Sequence, residues 1–331
     1  MSSRSSINEP RKGIPRRLIW FPSPPNPLRS RVLRRCAMDI GRVGVWTRTD
    51  GMAIGEAGDF AKRVEGLGYG ALWIPDAFGR DPFAHASYLF SHTSTLVIGT
   101  GVVNIHLREA QATACAQKEL HDQSGGRFLL GLGVSHSTMI ESVFQRVYPK
   151  PVPSMRAYLD AMENSMWWGP ELEGDPPIVL AALGPLMVKL AGERTLGVHP
   201  YFAPPENTRR TRDILGPKPW LCPEQKVLFE TDPEKARARA RVAMAGPLTM
   251  PNYRRNLMRA GFEENELDDG GNDRVVDAVV AWGDLEAIER RIQDHLDAGA
   301  THVCIQPLGT TDPSKPDLEL LEALAPRLCG G

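Results

Sequence analysis

The stretch RVGVWTRTDGMAIGEAGDFAKRVEGLGYGALWIP, residues 42–75, reads as strand, helix, strand. Arg42–Trp46 and Ala71–Pro75 are short apolar runs, too brief for helices and rich in Val, Leu, Ile and Trp. Between them, Ala53–Leu67 carries apolar residues at three-and-four spacing, the period of one helix face. Parallel strands need a crossover of this kind, so the unit predicts a parallel sheet covered by helices.

The same beat repeats along the chain. Strands are read at Leu96–Val103, Arg127–Val134, Ile178–Ala182, Val198–Phe202, Lys226–Phe229 and His302–Gln306. Helices between them include Glu109–Gln123, Ser154–Trp168, Pro185–Thr195 and Asp284–Ala298. Eight strands in all favour a closed (β/α)8 TIM barrel over a doubly wound open sheet. Residues 38–331 exceed the roughly 250 of a typical barrel, so insertions are required within this one domain. One is read around Gln145–Pro153, after the fourth strand, and a larger, predominantly helical one at Thr249–Trp282, between the seventh and eighth. Asp284 is read as the N-cap of the helix that follows, without a capping box because Ala287 stands three residues on.

The 331 residues hold 39 Lys and Arg against 40 Asp and Glu, and the net charge of −1 gives no reason to expect nucleic acid as a partner. The average hides a basic leader. Residues 1–37 carry nine basic residues and only Glu9, with Ser-Pro-Pro-Asn-Pro at 23–27 and no helical or strand period, and are expected to be disordered. Met38 directly precedes the first strand, so a misassigned start competes with a targeting role for this leader. Its longest apolar run, Leu18–Phe21, is too short for a secretory signal. The longest stretch without Asp, Glu, Lys or Arg, Pro82–Leu107, contains three histidines and Asn104 and fails as a membrane span. Five scattered cysteines with no C-x-x-C pair and no metal-ligand spacing read as reduced thiols, and the expectation is a cytoplasmic protein without a metal.

A barrel gathers its chemistry at the C-terminal ends of its strands. Those ends give Trp46 and Thr47; Pro75 and Asp76; Asn104 and His106; Ser135 and His136; and His199 through Phe202. Asp76 reads equally as a turn residue and as a carboxylate over the barrel mouth. His136 follows Gly131-Leu-Gly-Val-Ser135, whose glycines let backbone approach a ligand. His106, His199 and His302 each adjoin a strand end and read first as structural histidines. The two G-x-G segments at 99–101 and 131–133 lack the third glycine of a dinucleotide fingerprint. Gly133-Val-Ser-His-Ser137 misses the final glycine of a hydrolase nucleophile elbow, which leaves a Ser135 hydrolase disfavoured. Ala182-Leu-Gly-Pro185 ends a strand with proline at a helix start, where free backbone N–H groups bind phosphate or simply begin a helix.

Together these segments resemble the luciferase-like monooxygenase superfamily, in particular its actinobacterial branch of oxidoreductases dependent on the deazaflavin coenzyme F-420. The resemblance is carried by GRVGVW (41–46), LGYGALWIPD (67–76), IGTGVVN (98–104), GGRFLLGLGVSH (125–136), AALGP (181–185), HPYF (199–202), PNYRRNL (251–257) and DAGATHVCIQ (297–306). It implies a barrel with the coenzyme's ring over the strand ends. A bulged cis peptide behind the ring would fall at Gly101-Val102, and the coenzyme's phosphate on Leu183 and Gly184 at the start of the fifth helix. Trp46, Asp76, Asn104, Ser135, His136 and Tyr201 would complete the coenzyme site. Some relatives follow the strand-two Asp with a catalytic His; here Ala77 stands there, which leaves His136 or His106 as the acid–base group beside Asp76. The resemblance also implies a homodimer acting on a small molecule. FMN with oxygen, or a non-catalytic flavin-binding barrel, are the alternatives within the same fold.

Overall fold

A computed structural model of the chain describes residues 38–309 and 315–330. The leader expected at 1–37 lies outside the described residues. In chain order the elements are β1 (Val43–Trp46), α1 (Ile54–Gly66), β2 (Ala71–Ile74), α2 (Pro82–Phe90), β3 (Val97–Thr100), β4 (Val103–Asn104), α3 (Ala110–Gln123), β5 (Phe128–Gly133), α4 (Pro151–Glu163), β6 (Ile178–Leu180), α5 (Pro185–Arg194), β7 (Gly197–Val198), α6 (Pro205–Leu215), β8 (Trp220–Leu221), β9 (Glu224–Phe229), α7 (Pro233–Leu248), α8 (Pro251–Arg259), α9 (Asp273–Val279), β10 (Val280–Gly283), α10 (Leu285–Asp297), β11 (Val303–Pro307) and α11 (Leu318–Leu328). Proline occupies the start of α2, α4, α5, α6, α7 and α8, where its missing N–H costs nothing and its fixed φ favours the first turn. Asp284 caps α10 as expected, its side chain accepting from the Ala287 N–H at 2.8 Å.

All pairings are parallel. They run β11–β1–β2–β3–β5–β6–β7–β8, with β9 beside β11. β8 and β9 are halves of one barrel strand, parted at Pro223, which has no N–H to donate. Across the break, the Cys222 N–H reaches the Val198 carbonyl at 2.9 Å and the Glu224 N–H reaches that of Pro200 at 2.8 Å. This joins β7 to β11 and closes the (β/α)8 barrel. β3 and β4 are likewise halves of the third strand, separated by a cis peptide at Gly101-Val102.

Several expected elements differ. The single strand read at Leu96–Val103 is divided by the cis peptide. The strand read at Val198–Phe202 ends at Val198, and Phe202 takes a left-handed φ of 58°. The helix read at Ser154–Trp168 runs instead over Pro151–Glu163, because Pro151 and Pro153 open its first turn. The segment Thr249–Trp282 contains α8 and α9 but ends in β10, whose Val280 to Gly283 pair with Lys226 to Phe229. Val-Val-Asp-Ala-Val-Val-Ala-Trp at 275–282 is an apolar run that periodicity cannot divide between helix and strand.

Among the described residues there are three apolar clusters. The largest lies between the strands' outer faces and the helices. A second fills the barrel with Trp46, Trp73, Leu129, Val179, Cys222 and Cys304, inward residues that alternate with outward ones along each strand. A third joins the insertion to the helix before it, where α7, α8 and α9 pack on Phe202 and Leu228. Inside the barrel Gly44 makes room for His302: a Cβ there would stand 2.6 Å from its Nε2 and 2.7 Å from the Ala71 carbonyl oxygen. Gly44→Ala should therefore cost about 1–3 kcal/mol by overpacking, read as a lower urea midpoint with an unchanged slope. Among the described residues no helix is long and apolar enough to cross a membrane.

Candidate active site

The C-terminal ends of the strands open into a cavity of about 580 Å³, walled on one side by α7 and α8. Its size suits a small-molecule site. Trp46, Asp76, Gly101, Val102, Asn104, Ser135, His136 and Tyr201 all line it. His106, Leu183 and Gly184 do not.

The floor is set by β1, β3 and the segment after β7. Trp46 Nε1–H donates to the Gly101 carbonyl at 3.1 Å, and the Trp46 ring lies 5.1 Å from that of Tyr201. Gly101 is the residue that lets these groups meet, since a Cβ would fall 2.6 Å from Trp46 Nε1 and 3.0 Å from His199 Nε2. His199 stacks on Trp73 at 4.5 Å with an interplanar angle of 8°. Its Nδ1–H donates to the Cys222 carbonyl at 2.7 Å, which fixes Nε2 as an acceptor. That atom is buried without a partner among the described residues, and burial pushes the ring's pKa down to about 4, so it is neutral at pH 7.

Asp76 is held in an ion pair. Its Oδ2 accepts from Arg108 Nη1 at 2.5 Å and from the Asn104 N–H at 3.1 Å, and Arg108 extends to Asp81 through Nη2 at 2.7 Å. The pair ties the ends of β2 and β4 together and gives the carboxylate a fixed counter-ion. His106 turns away from the cavity: its N–H donates to Asn104 Oδ1 at 3.0 Å, and its ring packs edge-on against Tyr148 at 5.7 Å. Leu183 and Gly184 stand at the start of α5, with Gly184 in the N-cap position.

His136 is a further titratable residue of the cavity lining. Ser135, in a left-handed conformation with φ 58°, carries the chain out of β5 and is followed directly by this ring. Asn252, at the start of α8, offers its Oδ1 to His136 at 2.7 Å from Nδ1. A carboxamide oxygen only accepts, so Nδ1 carries the proton and Nε2 is the acceptor. Tyr253 packs beside the ring at 5.2 Å. Burial lowers the His136 pKa, and the Asn252 hydrogen bond raises it in part.

Asn252 and Arg108 were not read from sequence as site residues. Asn252 lies in the shared segment 251–257, yet its contact with His136 spans 116 residues and has no local signal. Beneath the floor, Lys226 and Glu224 form an ion pair at 3.1 Å with each side chain 1% exposed. Glu224 Oε2 also accepts the Phe202 N–H at 3.0 Å, and Lys226 Nζ lies 4.0 Å above the Tyr201 ring centroid.

The chain is 30% identical over 173 residues to a protein of Mycobacterium tuberculosis named as a coenzyme F-420-dependent oxidoreductase, an alignment covering 43% of this chain and 50% of the relative. It thus spans about half the length of that relative. An F-420-dependent secondary alcohol dehydrogenase, solved with an F-420–acetone adduct, superposes with a TM-score of 0.71 at 15% identity, over 88% of this chain and 98% of the other. The oxygenating constituent of 3,6-diketocamphane monooxygenase from Pseudomonas putida, solved with FMN, superposes with a TM-score of 0.64 at 16% identity, over 88% and 98%. At these identities the two structures speak for the fold alone. The family model for luciferase-like monooxygenases matches residues 36–302. The chain belongs to the luciferase-like monooxygenase family of oxidoreductases.

Proposed function

We propose that the protein is a coenzyme F-420-dependent oxidoreductase that interconverts an alcohol and a carbonyl compound, with His136 as the proton carrier. The observation that carries this reading is the pairing of His136 Nδ1 with Asn252, which leaves Nε2 as a neutral acceptor on a residue that lines the cavity. The floor suits a planar, flavin-like ring. Trp46, Val102 and Tyr201 offer apolar faces, and His199 Nε2 is an unpartnered acceptor for a ring N–H. The start of α5 at Leu183 and Gly184 would take the coenzyme's phosphate on backbone N–H groups.

When bound, a deazaflavin supplies a two-electron acceptor or donor. The protein's own work is positioning and proton transfer. His136 Nε2 accepts the hydroxyl proton as the alcohol carbon is oxidised, and returns it in the reverse direction. Asn252 keeps the ring in that tautomer. The Arg108–Asp76 pair holds the loop and strand ends that shape the wall beside it.

The pH dependence follows from the sign of the His136 shift. The neutral ring is the active base, so kcat/KM for alcohol oxidation should be flat at neutral pH and fall as pH drops. The limb's midpoint should lie below the ordinary imidazole value of about 6.5. Absorbance of the oxidised coenzyme, followed anaerobically with a panel of alcohols, tests the whole reading. Loss of that absorbance with coenzyme F-420 supports it; turnover only with FMN, accompanied by oxygen uptake, transfers the chain to the monooxygenase alternative. The homodimer is part of the proposal, and light scattering at twice the chain mass checks it.

A further inference from the structure

Glu224 and Lys226 stand two apart on β9, so they share one face of that strand, and their buried side chains pair at 3.1 Å. Such a pair adds little net stability over well-packed apolar residues, because desolvating two charges offsets most of their attraction. Stability alone therefore does not account for these residues. What their charges do is seen in the turn after β7. Glu224 Oε2 accepts the Phe202 N–H at 3.0 Å, holding a bulky residue in a left-handed conformation that such residues rarely take. Lys226 Nζ carries three N–H groups, and Glu224 Oε1 is the hydrogen-bond acceptor it has among the described residues. Aromatic rings stand where further acceptors would be: Nζ lies 4.0 Å from the Tyr201 ring centroid and 5.1 Å from that of Phe202. A cation out of water is drawn to a ring face more strongly than one in solvent.

Tyr201 is thereby held from one side by a charge. On its others the ring lies 5.1 Å from that of Trp46 and 5.8 Å from that of Tyr253, all three lining the cavity, and its hydroxyl donates to Gln306 Oε1 at 3.2 Å. A ring fixed before a ligand arrives need not be ordered by it, whereas a free ring weakens binding by the entropy of fixing it. We propose that Lys226 is a positioning residue, with Glu224 as its counter-ion: its ammonium pins the Tyr201 ring and so preorganises the cavity floor for a planar ring ligand. This rests on the reading of the floor as the seat of a flavin-like ring.

Fluorescence titration of the full chain with lumiflavin, a tricyclic ring with neither phosphate nor tail, tests the proposal, with coenzyme F-420 and FMN in parallel. The double variant Glu224→Gln, Lys226→Met removes both charges and keeps an acceptor for the Phe202 N–H. Its affinity for lumiflavin should fall about three- to tenfold, the cost of ordering one released side chain. In a Tyr201→Leu background the same double change should weaken binding by less than about twofold, since no ring remains to be pinned. Tyr201→Phe keeps a ring beside the ammonium and should lose less affinity than Tyr201→Leu, a comparison that does not depend on the double variant folding. Unchanged affinity in the double variant, a loss of the same size in the Tyr201→Leu background, or equal losses in Tyr201→Phe and Tyr201→Leu would overturn the proposal. Binding of lumiflavin or FMN without F-420 removes the coenzyme reading, while the cycle still decides for or against Lys226. A parent chain that binds none of the three overturns both.

Discussion

His136→Gln is expected to lower turnover by about 10²–10⁴-fold while leaving coenzyme affinity nearly intact. The direction follows from what the side chain does. His136 offers a neutral nitrogen acceptor to the cavity because Asn252 occupies the other nitrogen at 2.7 Å, and an amide at position 136 has no site that titrates near pH 7. Stopped-flow absorbance of the coenzyme measures the loss, and a quenching titration measures affinity in the same preparation. An unchanged rate would remove His136 from the reaction. Asn252→Leu gives the companion result. Without the amide oxygen the ring loses the hydrogen bond that raises its pKa, so the acid limb of the rate profile should move to lower pH as turnover falls. A purely structural Asn252 would lower activity without moving the limb.

Lys226→Met should lower stability by about 3–5 kcal/mol. Lys226 and Glu224 are each 1% exposed, and burial holds the Lys226 pKa below its usual value despite the carboxylate beside it. Removing the ammonium leaves the Glu224 carboxylate with the Phe202 N–H as its side-chain partner among the described residues, a buried charge that has lost its counter-ion. Adding Glu224→Gln removes that charge and keeps an acceptor for Phe202, so the double variant should regain most of the loss. Urea unfolding of the two variants and the parent measures both effects. Equal stability of the single and double variants would mean that the pair's charge is not what the barrel depends on.

The fold was legible because strand and helix periods alternate from residue 42 onward with few ambiguities. Most strands were placed within one or two residues, and the helices at Ala53–Leu67 and Pro185–Thr195 nearly match α1 and α5. The failures have physical causes. β8 is two residues long beside Pro219 and Pro223, so it offers no alternation to read. β10 continues directly from α9 through a valine-rich run that suits either state.

The site was legible in a different sense. Counting residues after each strand brought Trp46, Asp76, Asn104, Ser135, His136 and Tyr201 to one cavity, because a parallel barrel delivers every such position to the same face. The same rule misplaced His106, since it gives a position along the chain and not the direction of a ring. The partners that decide protonation were invisible. Arg108 beside Asp76 and Asn252 beside His136 are set by tertiary contact across 32 and 116 residues. His199 was read first as structural, and the structure gives it both parts: Nδ1 is satisfied in the core, and Nε2 stands unpartnered at the cavity floor.

The central claim is tested most directly by fluorescence-quenching titration of the full chain with coenzyme F-420 and, in parallel, with FMN. Trp46 and Tyr201 line the cavity and should report occupancy. The account predicts saturable quenching by F-420 at micromolar or lower concentration and little response to FMN. Selective binding of FMN, or binding of neither, would contradict it.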